Sequence, residues 1–234
     1  DFHTHTTFCD GKNTPRQMVE SGFSERLTDF GISGHGDYSF CEPGFGMNDR
    51  ILEEYQRELE QLRDEYRGRM NLYIGIELDA WDQFKGRVFH RLCHCVKKTE
   101  NNSVDDTEDK LTEAVDRLWK GDWYAFIRDY YELEATVWDR TRCTWIGHFD
   151  LLTKFNEGGK YFDETSDAYL EPALAAMKYL QQAEVPFEIN TGAIGRNTEQ
   201  YPIRRRFFCG SFVRWGDGLS LILTVTAQSI SAAA

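Results

Sequence analysis

The chain has 234 residues, 41% apolar and 14% aromatic, enough for a single domain with a large core. Its formal net charge of −12 argues against nucleic acid or an anionic membrane as the main partner, and an anionic substrate would need bound cations or an arginine cluster to reverse the local sign. No apolar run approaches the ~20 residues of a membrane span, the polar start suggests no signal peptide, and the six cysteines read as reduced thiols of a cytoplasmic protein.

The first stretch is Asp1-Phe-His-Thr-His-Thr-Thr-Phe-Cys-Asp-Gly11. If residues 2–5 are extended, His3 and His5 point the same way, as residues i and i+2 do in a strand, and can grip one metal ion. Asp10 follows a short loop that Gly11 lets turn sharply. The competing reading is a polar tail in which two histidines fell close by chance. Thr14-Pro15 predicts a helix start, with Thr as cap and Pro in the first turn. Residues 28–35 read as a strand closing on His35. Residues 36–46, rich in Gly and carrying Pro43, read as a loop over the site.

Asn48 or Asp49 caps a helix expected to run to about Arg67, with Ile51, Tyr55, Leu59, Leu62 and Tyr66 on one face. Residues 71–77 form a third strand closing on Glu77. A shorter fourth, 88–95, carries His90 and His94. Cys93 and Cys95 could clip a soft metal, but as strand neighbours of His94 they share the opposite face and read as core. His90 reads as structural. A polar loop covers 99–110, and helices are expected at 108–119 and 122–140. The aromatics Trp123, Phe126, Tyr130, Tyr131 and Trp138 of the second read as core packing. A fifth strand, 143–148, closes on His148. A helix near 164–182 uses Leu170, Leu174, Met177 and Leu180. Residues 185–190 are a sixth strand, 192–206 a loop with four arginines, and 219–224 a seventh strand.

Strands alternating with helices imply a largely parallel sheet closed into a barrel, with chemistry at the C-terminal ends of the strands. His3, His5, His35, Glu77, His94 and His148 all fall at predicted strand ends. Scattered surface histidines would not follow the strand period. With Asp10 they make an imidazole–carboxylate set suited to Zn, Fe or Mn. Seven groups are too many for one ion, so two or three divalent metal ions sharing a carboxylate are expected, with Glu77 as the bridge.

The runs Asp1-Phe-His-Thr-His with Cys-Asp-Gly11, Gly-Ile-Ser-Gly-His35, Gly-Ile-Glu77-Leu-Asp, Ile-Gly-His148-Phe-Asp-Leu and Glu-Ile-Asn190-Thr-Gly resemble the polymerase-and-histidinol-phosphatase (PHP) family over residues 1 to about 228. Within it the chain is most similar to the histidinol-phosphate phosphatases. The resemblance implies one domain, 1–234, built as a distorted (β/α)7 TIM-like barrel with a trinuclear site at the strand C-terminal ends. It implies hydrolysis of L-histidinol phosphate to L-histidinol and phosphate. His3, His5, Asp10, His35, Glu77, His94 and His148 would be the ligands. The family closes its last strand with Asp-x-His; here Thr226 and Gln228 stand at those places.

The expected mechanism uses a metal-bridging hydroxide as nucleophile, with Glu77 and His94 as catalytic residues. Arg196 is the favoured phosphate clamp, because a guanidinium fork matches phosphate oxygens, whereas Arg204–Arg206 read as a solvated run. The expected partner is a small phosphorylated metabolite. Two other readings remain: another PHP-type phosphoesterase, or a metal-binding protein whose catalysis is impaired by Thr226 and Gln228. An amidohydrolase barrel also opens on His-x-His, but it bridges metals through a modified lysine, and no lysine matches here.

Overall fold

The computed structural model describes residues 1–37, 45–80, 91–95, 104–190 and 221–224, with only the backbone at 79–80, 91–95, 189–190 and 221–224. Its elements run α1 (Pro15–Ser24), β1 (Asp29–His35), α2 (Asp49–Glu65), β2 (Asn71–Ala80), β3 (Arg91–Cys95), α3 (Glu108–Trp119), α4 (Trp123–Ala135), α5 (Val137–Thr141), β4 (Trp145–Ile146), α6 (Asp167–Gln181), β5 (Phe187–Asn190) and β6 (Leu221–Thr224). The strands form one six-stranded sheet in the order β1-β2-β3-β4-β5-β6, every pair parallel. Parallel neighbours need crossover connections, and helices supply them between most strands.

The expected first strand, residues 2–5, is not a regular one. It lies beside β1 through hydrogen bonds from the Gly31 amide to the Asp1 carbonyl (2.8 Å) and from the Ser33 amide to the Thr4 carbonyl (2.9 Å). Two glycines allow this. A Cβ on Gly31 would sit 2.8 Å from the Phe2 Cα, and one on Gly11 would sit 2.5 Å from the His5 carbonyl carbon. Neither glycine can be replaced without moving backbone that carries His3 and His5.

Local signals explain most helices. Thr14 caps α1 in a reciprocal capping box with Gln17, and Pro15 opens the helix. Asn48 caps α2, whose Tyr55, Leu59 and Leu62 are buried. The Tyr55 hydroxyl reaches the carbonyls of Gly75 (2.7 Å) and Ile32 (2.9 Å) and accepts the Gly34 amide (3.3 Å), which ties α2 to β1 and β2.

The expected helix 122–140 is two helices. Thr136 ends α4, its hydroxyl donating to the Leu133 carbonyl at 2.8 Å, and α5 begins at the next residue. The aromatic face is core, as read: Phe126, Tyr130 and Tyr131 are buried, and Trp123 stacks on Tyr161 at 4.3 Å. In α6 the buried face is Tyr169, Ala173, Ala176, Met177 and Leu180, while Leu170 and Leu174 are only partly buried.

Strand ends differ from expectation in ways that bear on the site. β1 does close on His35, but β2 runs three residues past Glu77, to Ala80. β4 is only Trp145–Ile146, so His148 lies beyond it, in a left-handed backbone conformation (φ +50°). The loop residues 38–44 and 99–103 lie outside the described residues, as do His90 and the side chains of Cys93 and Cys95.

Candidate metal centre

Glu77 sits on β2, in register with His35 on β1. Its side chain is 1% exposed, a carboxylate taken almost wholly out of water. Such an ion persists only with cations or strong donors around it, and four imidazoles converge on it. The His3 Nε2 lies 3.2 Å and the His148 Nε2 3.3 Å from Glu77 Oε1. The His5 Nε2 lies 3.1 Å and the His35 Nδ1 3.2 Å from Glu77 Oε2. Each carboxylate oxygen thus faces its own pair of histidines.

The local backbone produces this division. His3 and His5, two residues apart in an extended run, both turn Nε2 to Glu77, one to each oxygen. Their rings are 5.2 Å apart. The His3 ring lies 4.7 Å from the His148 ring, and the His5 ring 4.4 Å from the His35 ring. The Phe45 ring covers His35 at 4.4 Å. Asp10 comes back over this second pair because the turn at 6–11 folds the chain, with the Cys9 and Gly11 amides both donating to the Thr6 carbonyl at 3.0 Å. Asp10 Oδ1 lies 3.2 Å from His5 Nδ1 and 3.5 Å from His35 Nε2.

The electrostatics match a site built for cations. Burial alone would push the His3 imidazole down, but Glu77 and Glu188 together outweigh it and raise it to about 9. Burial also acts against a charged His5, and its bonds to Asp10, Cys9 and Glu77 overcome that and hold it well above its ordinary value. Burial would raise Asp10, yet its contacts with His35 and His5 hold it well below the usual carboxylate range. At His3 and His5 the surrounding carboxylates favour a positive charge, the charge that a metal ion could supply.

The donors fit such ions. Three groups converge within 4.8 Å: His3–Glu77–His148, His5–His35–Glu77 and His5–Cys9–Asp10. A tetrahedral ion with bonds of about 2.0 Å to N and O requires donors about 3.3 Å apart. The four N···O separations of 3.1 to 3.3 Å around Glu77 meet that requirement. Imidazole with carboxylate suits Zn, Fe or Mn.

Of the seven ligands expected from sequence, six come together: His3, His5, Asp10, His35, Glu77 and His148. His94 lies in β3 in register with Asp79, two residues past Glu77, and its side chain is outside the described residues. Arg196, Arg204–Arg206, Thr226 and Gln228 are outside them as well. Two residues at the centre were not foreseen. Cys9 places its Sγ 3.5 Å from His5 Nδ1. Glu188 on β5 is buried and places Oε1 2.8 Å from His3 Nδ1. Glu188 carried a legible signal, a carboxylate between Phe187 and Ile189 in a strand, the same signal that singled out Glu77.

A family model, the PHP domain, matches residues 1–192. A histidinol-phosphatase of Bacillus subtilis is 31% identical over 96 residues, which cover 38% of this chain and 36% of that protein. The chain spans about a third of the length of the bacterial relatives it matches. A crystal structure of a Listeria monocytogenes protein assigned as a histidinol phosphatase shares the fold, with a TM-score of 0.79, 16% identity, and coverage of 98% of this chain and 96% of that one. The crystal structure of histidinol phosphate phosphatase from Lactococcus lactis, complexed with zinc, L-histidinol and phosphate, has a TM-score of 0.69 and 21% identity, covering 100% of this chain and 90% of that one. With the model matched over most of its length, the chain belongs to the PHP domain family.

Proposed function

We propose that the protein is a metal-dependent phosphomonoesterase whose substrate is L-histidinol phosphate. The observation that carries the reading is Glu77, with each of its oxygens facing a separate pair of imidazoles. That arrangement supports two divalent ions bridged by one carboxylate, one held by His3 and His148, the other by His5 and His35 with Asp10 beside it. His94 is proposed as a further ligand and catalytic residue, and Arg196 as the phosphate clamp. Bound divalent ions would neutralise the phosphoryl oxygens, make water nucleophilic near neutral pH and align the attacking and leaving oxygens. The protein's own part is positioning: the sheet fixes Glu77 and His35 side by side, and the 6–11 turn holds Asp10 over His5 and His35.

The substrate is favoured by the relatives, two of which are named histidinol-phosphatases, and by the Lactococcus structure with its histidinol and phosphate. We extend the six parallel strands to the single-domain (β/α)7 barrel, with residues 2–5 as the further strand. The same reading places the protein in the cytoplasm; no described helix is long and apolar enough to cross a membrane. A second reading, a metal-binding protein with impaired catalysis, is favoured by Thr226 and Gln228 alone.

Phosphate release from L-histidinol phosphate, measured with zinc or manganese beside a panel of nucleoside monophosphates, separates these. The expected result is at least about a hundredfold preference in kcat/KM for histidinol phosphate, about 2.7 kcal/mol of discrimination. A preferred nucleotide would make the protein a different phosphoesterase. No release from any ester by the metal-loaded protein would establish the impaired form.

A further inference from the structure

We propose that Glu188 is a positioning residue of the centre, which fixes the donor atom of His3 and the backbone of His148 together. The proposal rests on the metal reading above.

A histidine that ligates through one ring nitrogen needs its other nitrogen held, because that bond sets both tautomer and ring orientation. His3 turns Nε2 to Glu77 and Nδ1 to Glu188, whose Oε1 lies 2.8 Å away. When Nδ1–H donates to Glu188, the Nε2 lone pair is left aimed at the space beside Glu77 Oε1. The other oxygen of Glu188 has a different task. Its Oε2 accepts the backbone N–H of His148 at 3.2 Å and lies 4.0 Å from that ring's Nδ1. His148 is a non-glycine residue in a left-handed conformation, which persists only where the surroundings fix it.

One buried carboxylate therefore spans the two histidines that face the same oxygen of Glu77. Glu188 is not itself among the donor groups that converge on one point in the described residues; those are built on Glu77 or on Asp10. Its oxygens meet the nitrogens that point away from the shared space. Both oxygens of Glu188 are engaged with His3 and His148, so the ion position beside Glu77 Oε1 is the one expected to depend on it.

The test is a zinc titration of the full chain, stripped of metal, against a chromophoric chelator, with circular dichroism on each sample. Glu188→Ala is expected to weaken one zinc step by about 10- to 100-fold, and to leave the step assigned to His5 and His35 within about threefold. Glu188→Gln keeps one acceptor oxygen and should fall between parent and Glu188→Ala. Two steps of parental affinity in Glu188→Ala overturn the role of Glu188 and leave the centre standing. Equal weakening of both steps with the helical signal intact marks a residue that does not act through His3 and His148 and overturns it too. If Glu188→Ala does not fold, parental affinity in Glu188→Gln is the overturning result. A parent chain that takes up no zinc overturns the metal centre, and this inference with it.

Discussion

Glu77→Gln is expected to reduce phosphate release by at least about 10²- to 10³-fold and to lower metal content in the same protein. A carboxylate has two equivalent anionic oxygens, and here each faces two imidazole nitrogens at 3.1 to 3.3 Å. Glutamine keeps the size but offers one neutral oxygen, and its amide NH₂ cannot ligate. One side of the centre loses its bridging donor outright, and the other keeps a weak one. Several kcal/mol of transition-state charge stabilisation depend on the bound ions, and each 1.36 kcal/mol is a decade of rate, hence the magnitude. Steady-state kinetics with metal analysis of the same samples checks it. Activity within tenfold of the parent, with full metal content, would remove Glu77 from its bridging role. The effect should be far larger than that of Glu188→Ala, because Glu188 holds ligands whereas Glu77 is shared by both pairs.

Zinc uptake is expected to release protons and to strengthen with pH. Zinc binds neutral imidazole. In the metal-free chain Glu77 and Glu188 outweigh the effect of burial and raise His3 to about 9, so near neutral pH that ring must give up a proton to ligate. For this one histidine the zinc affinity should rise about tenfold per pH unit below 9 and level off above it. His5, also raised, adds to the steepness. Calorimetry in buffers of different ionisation enthalpy counts the protons. At least one released near pH 7 is expected, and none released would contradict the coupling. Metal-free stability should run the other way. A group raised in the folded state stabilises fully below its unfolded value of about 6.5, and that contribution is lost as pH climbs through about 9. In excess chelator, the thermal midpoint should therefore fall over this range.

Much of this centre could be read from the chain before any coordinates. The two-residue spacing of His3 and His5 predicted a shared direction, and both do present Nε2 to Glu77. His35 was legible because a strand of small and apolar residues ends on it. Glu77 was legible as a carboxylate in a run otherwise fit for a buried strand, although β2 continues past it. What stayed hidden depends on tertiary context. His148 was read as a strand end, yet β4 stops two residues earlier, and a left-handed turn held by Glu188 aims its ring. No local pattern announces a left-handed histidine. Glu188 shares the signal of Glu77, a carboxylate in an apolar strand, but that pattern does not show that it meets the far nitrogen of His3. The split between α4 and α5 is not legible because apolar periodicity continues across Thr136, where the amide and the hydroxyl both turn to the Leu133 carbonyl.

The most direct measurement is anomalous diffraction from crystals of the zinc-loaded protein. Two zinc positions are expected astride Glu77, each about 2.0–2.2 Å from a different carboxylate oxygen, one with His3 and His148 and the other with His5 and His35. A single ion, or ions that leave Glu77 without a metal bond, would contradict the bridged centre from which the proposed chemistry follows.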